Sequence, residues 1–200
     1  RVFCAGEPLD VVTPALATAQ ALKEIRQKRA VWRVETIDDD EVFVRAVQLV
    51  DTCRRFLGIA PEAIAAASRG RVDNRWLASV LKASSALADS PKETEMRLLA
   101  SKIAKDYGIE LREQLEFVDR GKLVTRADLA FPGPRVALYY DGANHDDPGR
   151  RIKDTRIDLY LTSIAWRPLR FGTNMLGGVA KHLAVVLEER GCARFDGRKI

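Results

Sequence analysis

Apolar and polar positions follow two different periods along the chain, and the change falls near residue 108. Before it, apolar residues recur every three or four positions, the spacing of one helix face. Pro14, with Thr13 as N-cap, opens a helix predicted over about 15–28. The first ten residues read as a short apolar run and a turn, and Val31–Val34 alternates only weakly. Asp38-Asp39-Asp40-Glu41 puts negative charge at the start of a second helix, which runs to about Leu57 and stops at Gly58. Pro61 starts a third over 62–68, broken at Gly70, and a fourth is predicted over 74–87. Ser90-Pro91-Lys92-Glu93 is a restart signal, a capping residue followed by Pro and Glu, for a helix ending near Tyr107-Gly108.

Period two then takes over. Strands are expected over 109–117, 122–130 and 136–141, the first two joined by a hairpin turn at Asp119-Arg120-Gly121. Asp146-Asp147-Pro148 caps a helix reaching Ser163, a fourth strand covers 166–171, and a last helix covers 175–190 up to Gly191. The order from residue 90 is α-β-β-β-α-β-α. The chain is expected to be α/β: a helical N-terminal segment over 1–89 and a small mixed sheet flanked by helices over 90–200.

Composition narrows the class. Of the 200 residues, 46% are apolar and 30% charged, the balance of a folded rather than a disordered chain. No apolar run approaches the roughly 18 residues of a membrane span, and no charged-then-apolar leader is read. Cys4, Cys53 and Cys192 are scattered with no CxxC spacing, which argues against a disulfide framework or zinc site and for reduced thiols in a cytoplasm. Residues 1–89 hold 13 Lys/Arg against 12 Asp/Glu and residues 90–200 hold 20 against 16, so +4 of the net +5 lies in the second part. That excess is compatible with a nucleic-acid partner without demanding one.

The candidate chemistry gathers between Asp128 and Arg156. Asp128 sits between Ala127 and Leu129 in an apolar strand, where a carboxylate costs free energy unless it is paired or metal-bound. The alternative is a strand-end backbone cap. Asp141 precedes Gly142, either as a site carboxylate or as ordinary Asp-Gly turn chemistry. His145 is one of two histidines, and a neutral imidazole there can deprotonate a water or simply be solvated. His182, among apolar residues of the last helix, reads as structural. Glu93 either closes the capping box or reaches the site. Arg150, Arg151, Lys153 and Arg156 form a basic run, a phosphate-contacting segment or a solvated face. Asp154 and Asp158 share a helix face, paired with nearby arginines or turned to the site. Trp32, Trp76 and Trp166 read as packing residues. Phosphate loop, dinucleotide fingerprint, nucleophile elbow and zinc spacing are all lacking, which argues against nucleotide-dependent, hydride-transfer and serine-hydrolase chemistry.

Ser90-Pro91-x-Glu93-Thr94 with Arg97, Arg126-Ala127-Asp128-Leu129-Ala130 with Pro132, Val136-Ala137-Leu138-x-Tyr140-Asp141-Gly142 with His145, Asp154 and Asp158, and Trp166 with Leu169-Arg170-Phe171 occur in that order. In this set, about half the chain resembles an uncharacterised bacterial family related to the very-short-patch mismatch repair endonuclease, of the PD-(D/E)XK nuclease superfamily. Residues 1–89 resemble, more faintly, the helical region preceding that domain in many actinobacterial proteins. The resemblance implies a restriction-endonuclease-like sheet, Mg²⁺ (or Mn²⁺) held at its edge, and cleavage of a DNA phosphodiester. It implies Asp128 and the main-chain carbonyl of Tyr139 on the metal, Asp141 beside it, His145 as base and Glu93 orienting a metal-bound water. Two departures stand out. Tyr139 replaces a Glu common in that family, and a phenol is neutral at pH 7 and a poor magnesium ligand. Ile157 replaces an Arg. The alternative expectation is a nuclease fold without catalysis that retains nucleic acid or acts as an antitoxin-like regulator. A homodimer is left open.

Overall fold

The computed structural model of the chain describes residues 2–4, 7–9, 11–35, 40–142 and 148–194. The described residues up to Pro91, Glu35 excepted, form one compact unit, and Glu35 with those from Lys92 onward forms a second. None of the described helices is long and apolar enough to cross a membrane.

In the first unit a short antiparallel pair, β1 (Val2–Cys4) and β2 (Glu7–Leu9), stands where only an apolar run and turn were expected. Four helices follow: α1 (Pro14–Arg26), α2 (Glu41–Leu57), α3 (Pro61–Ala67) and α4 (Asn74–Ala83). Thr13, Asp40 and Asp73 accept the N–H groups of Leu16, Val42 and Trp76 at 3.2, 3.0 and 2.7 Å, giving α1, α2 and α4 side-chain caps. Gly58, at φ 63°, ends α2. α1 packs on α2 and α3, and α2 on α4, around Leu22, Ile25, Val47, Val50 and Ile64, each at most 1% exposed. Trp32 donates its indole N–H to Gln48 at 2.7 Å, and Trp76 lies under the Arg26 guanidinium.

α4 stops four residues before its expected end. Arg54 donates to the carbonyl and the hydroxyl of Ser84, and buried Asp51 accepts the Ser85 N–H, each at 2.7 Å. These bonds engage the Ser84 carbonyl and the Ser85 N–H, the main-chain groups a further helical turn would use.

The second unit is a four-stranded mixed sheet between helices. α5 (Pro91–Tyr107) leads into β3 (Arg112–Asp119), β4 (Lys122–Phe131) and β5 (Val136–Asp141). α6 (Pro148–Ser163) then crosses to β6 (Arg167–Gly172), and a 3-10 turn (Leu176–Gly178) precedes α7 (Val179–Glu189). The sheet order is β3-β4-β5-β6, antiparallel except for the parallel β5–β6 pair. β3 begins later than expected because Gly108, at φ 61°, and the Ile109 N–H on the Ala104 carbonyl close α5 in a Schellman turn. Arg120 and Gly121, at φ 48° and 77°, form the two-residue turn joining β3 and β4.

Two apolar sets pack on opposite faces of the sheet; alternation separates them along β5, whereas Ala127 and Leu129 of β4, two residues apart, fall on different faces across Asp128. Leu129, Phe131, Leu138 and Phe171 pack with Met96, Leu99 and Ile103 of α5 and Leu183 and Leu187 of α7. Ala137 and Tyr139 pack on the other face with Phe117, Ala127, and Ile157 and Leu161 of α6. Trp166 stands edge-on to Phe117 at 4.7 Å.

The pairing of β5 fixes where its main-chain groups point. Its ladder to β6 opens with the Arg167 N–H on the Arg135 carbonyl at 2.8 Å. Successive residues of an extended strand point N–H and C=O to alternate sides. Ala137 and Tyr139 therefore face β6, and Leu138 and Tyr140 face β4. On β6, Pro168, Arg170 and Gly172 direct their main chain away from β5, where Gly172 gives its N–H to the Met175 sulfur at 3.3 Å.

Leu138 belongs to the core shared with α5 and α7 and is fully buried. Leu138→Ala should lower stability by about 2–5 kcal/mol, read as a fall in the urea midpoint at constant slope. A loss well under 1 kcal/mol would contradict the packing described.

Candidate functional site

β4 pairs with β3 along nearly its whole length but with β5 only from Phe131 to Leu129. Beyond Leu129 the two strands part, and Asp128 sits at the fork. Its Oδ2 accepts the Tyr140 N–H at 2.7 Å, taking the place of a ladder carbonyl. Opposite it on β3 the pairing steps from Glu113↔Leu129 to Leu115↔Ala127, and Gln114 between them has φ 52°. Asp128 is thus partnered within β4, with Ala127 and Leu129 buried on either side.

The fork opens a cavity of about 620 Å³ beside α6. Asp128, Tyr139, Asp141 and Lys153 line it, together with Thr125, Arg126, Asp154 and Arg170. Of the expected site residues, these first four are brought together. Glu93 is not in the lining; its carboxylate accepts a weak bond from the Gln114 side-chain amide at 3.4 Å. Arg151 and Arg156 are exposed on α6 and outside the lining. His145 and the side chain of Arg150 lie outside the described residues.

The strand directions shift one expectation by a residue. Tyr139, whose carbonyl was the expected metal ligand, turns that oxygen toward β6, whereas the carbonyl of Tyr140 points to the side of Asp128.

Arg170 ties the cavity together. It is the register partner of Tyr139 across the parallel ladder, so both side chains leave the same face, and its guanidinium lies 4.6 Å over the Tyr139 ring. Nη2 lies 3.0 Å from Asp158, and Nη1 lies 3.3 Å from Asp141 and 3.4 Å from Asp154. Asp154 therefore does both things the sequence left open: it pairs with an arginine and faces the cavity. Burial alone would loosen the Arg170 proton, but the three carboxylates outweigh it and hold that proton more firmly than usual. The sequence alone assigns Arg170 no chemical role. Its signal was a cation between two apolar strand positions, close in the chain to an i,i+4 pair of aspartates.

Burial pushes the Tyr139 phenol up to about 12, with Thr125 and Arg170 pulling the other way. It stays neutral at pH 7 and supplies a cation–π face rather than a ligand charge. The cationic side chains of the lining (Arg126, Lys153, Arg170) balance the anionic ones (Asp128, Asp141, Asp154) in number. Among the described residues no three His, Cys, Asp or Glu side chains converge to hold an ion. Mg²⁺ and Mn²⁺ take hard oxygen donors, and the lining carries the carboxylates of Asp128 and Asp141. Among the described residues the lining offers no thiolate or imidazole of the kind zinc prefers.

Compared with known proteins, the chain matches no family model, no curated protein and no solved structure.

Because the folded-state value of Tyr139 lies above its unfolded value near 10, its contribution to stability is intact below pH 10 and is lost as pH rises toward 12. Tyr139→Phe should flatten that part of the stability–pH curve, measured by thermal melts between pH 9 and 12. A curve identical to wild type would show that the phenol titrates as if exposed.

Proposed function

We propose that the second unit hydrolyses DNA phosphodiester bonds with Mg²⁺ or Mn²⁺. The observation that carries this reading is the meeting of Asp128, Asp141 and Lys153 around one solvent-open cavity at a fork in the sheet. The motif resemblance to the mismatch-repair endonuclease relatives points the same way. Asp128, Asp141 and the carbonyl of Tyr140 are the groups that would hold the ion. When bound, the ion would neutralise phosphoryl oxygens and acidify a water. Lys153 and Arg126, on different walls of the cavity, would hold the entering phosphate by charge. Asp128 keeps its carboxylate aimed by the Tyr140 N–H, and Arg170 keeps Asp141 in place. His145 stays the candidate base by resemblance. The free thiols of Cys53 and Cys192 suit a reducing cytoplasm.

A second reading has its own observation. Where the resembled family commonly has Glu, Tyr139 supplies a neutral phenol, and Arg170 already engages Asp141. Both fit a nuclease fold that binds nucleic acid, or acts as an antitoxin-like regulator, without cutting.

Purified protein with Mn²⁺ should nick supercoiled plasmid. Asp128→Asn preserves an acceptor for the Tyr140 N–H and removes the charge. Nicking should fall about a hundredfold or more, at or beyond what losing an outer-shell metal partner costs, with the melting curve retained. Undiminished nicking by a folded variant rejects the hydrolytic site. No nicking by wild type, no Mn²⁺ binding at millimolar concentration and a salt-dependent DNA affinity favour the binding module.

A further inference from the structure

Resting on the hydrolytic reading above, we infer that Arg170 is a positioning residue whose Nη1 competes with the divalent cation for Asp141 and so sets how tightly the site holds it. The guanidinium divides its nitrogens between two tasks. Nε lies 3.1 and 3.2 Å from the two Asp158 oxygens, and Nη2 lies 3.0 Å from one of them. This forked pair anchors the group to α6. Nη1 lies 3.3 and 3.5 Å from the oxygens of Asp141 and 3.4 Å from Asp154. Those contacts sit at the outer limit of a hydrogen bond, so Nη1 is the looser arm.

That arm stands between two carboxylates from different elements, Asp141 at the end of β5 and Asp154 on α6. A divalent cation drawn to Asp141 needs the same lone pairs and carries a like charge into the neighbourhood of the guanidinium. The Tyr139 ring beneath and the Asp158 fork keep Arg170 from swinging away. Without the ion, Arg170 holds three mutually repelling carboxylates together; with it, Nη1 releases Asp141 while the fork on Asp158 persists.

The test is calorimetric titration with Mn²⁺ alone on full-length wild type, Arg170→Gln, Asp158→Asn and Asp128→Asn, with nicking measured in parallel. Arg170→Gln should bind Mn²⁺ about tenfold more tightly, from removal of one competing charge a few ångströms from Asp141. Asp158→Asn frees Arg170 from its anchor and turns it fully onto Asp141 and Asp154, so it should weaken binding several-fold although Asp158 is outside the cavity lining. A merely structural ion pair would lower the melting temperature and move neither affinity. The inference is overturned if Arg170→Gln binds equally or more weakly, if no form binds, or, should Arg170→Gln fail to fold, if Asp158→Asn matches wild type. Nicking that depends on Asp128, with affinity indifferent to Arg170, sinks this inference alone. Tightening in Arg170→Gln with no nicking by any form sinks the hydrolytic reading alone.

Discussion

A side-chain carboxylate standing in for a main-chain carbonyl is the interaction on which the second unit's architecture turns. Where β4 leaves β5, the Tyr140 N–H would lose its partner inside a largely apolar sheet, at a cost of about 1–3 kcal/mol. Asp128 accepts it at 2.7 Å. The same bond gives the carboxylate a partner between the buried Ala127 and Leu129. The amide is satisfied, the strands are free to diverge, and the gap between them becomes the cavity. Replacing Asp128 with an apolar residue would solve the carboxylate's problem and leave the amide's.

On the α6 side the governing quantity is charge balance. Asp141, Asp154 and Asp158 would repel one another within a few ångströms, and one guanidinium compensates them. Its position follows from register: a parallel pairing that sets Tyr139 beside Arg170 places the aromatic ring under the cation. The near-neutral lining then has little standing attraction for an anion. A bound divalent ion would change its sign and draw a phosphate in.

Much of this was legible from local rules. Thr13, Gly58 and the Asp119–Lys122 hairpin act through bonds between near neighbours in the chain, and their outcomes match the expected helix and turn positions. The order of elements from residue 90 followed from the change of period. What was not legible depends on distant partners. α4 ends early because Asp51 and Arg54, a helix away, claim Ser85 and Ser84. The role of Arg170 needs the parallel register with β5 and the later face of α6, neither of which has a local signature. Which tyrosine carbonyl faces Asp128 is a parity question, and a shift of one residue reverses it. Asp128 itself was visible as an anomaly, a carboxylate in an apolar run, and of its two expected explanations the structure shows the backbone cap, in a residue that also lines the cavity.

The outward side of β6 has a consequence for the fate of the chain at high concentration. A border strand normally exposes a row of amides that can recruit another strand and seed aggregation. Here Pro168 contributes no amide and the thioether of Met175 takes that of Gly172, so of the three outward positions only Arg170 retains one for an incoming strand. A foreign strand finds no continuous row to zip onto, so this border of the described sheet resists templated growth.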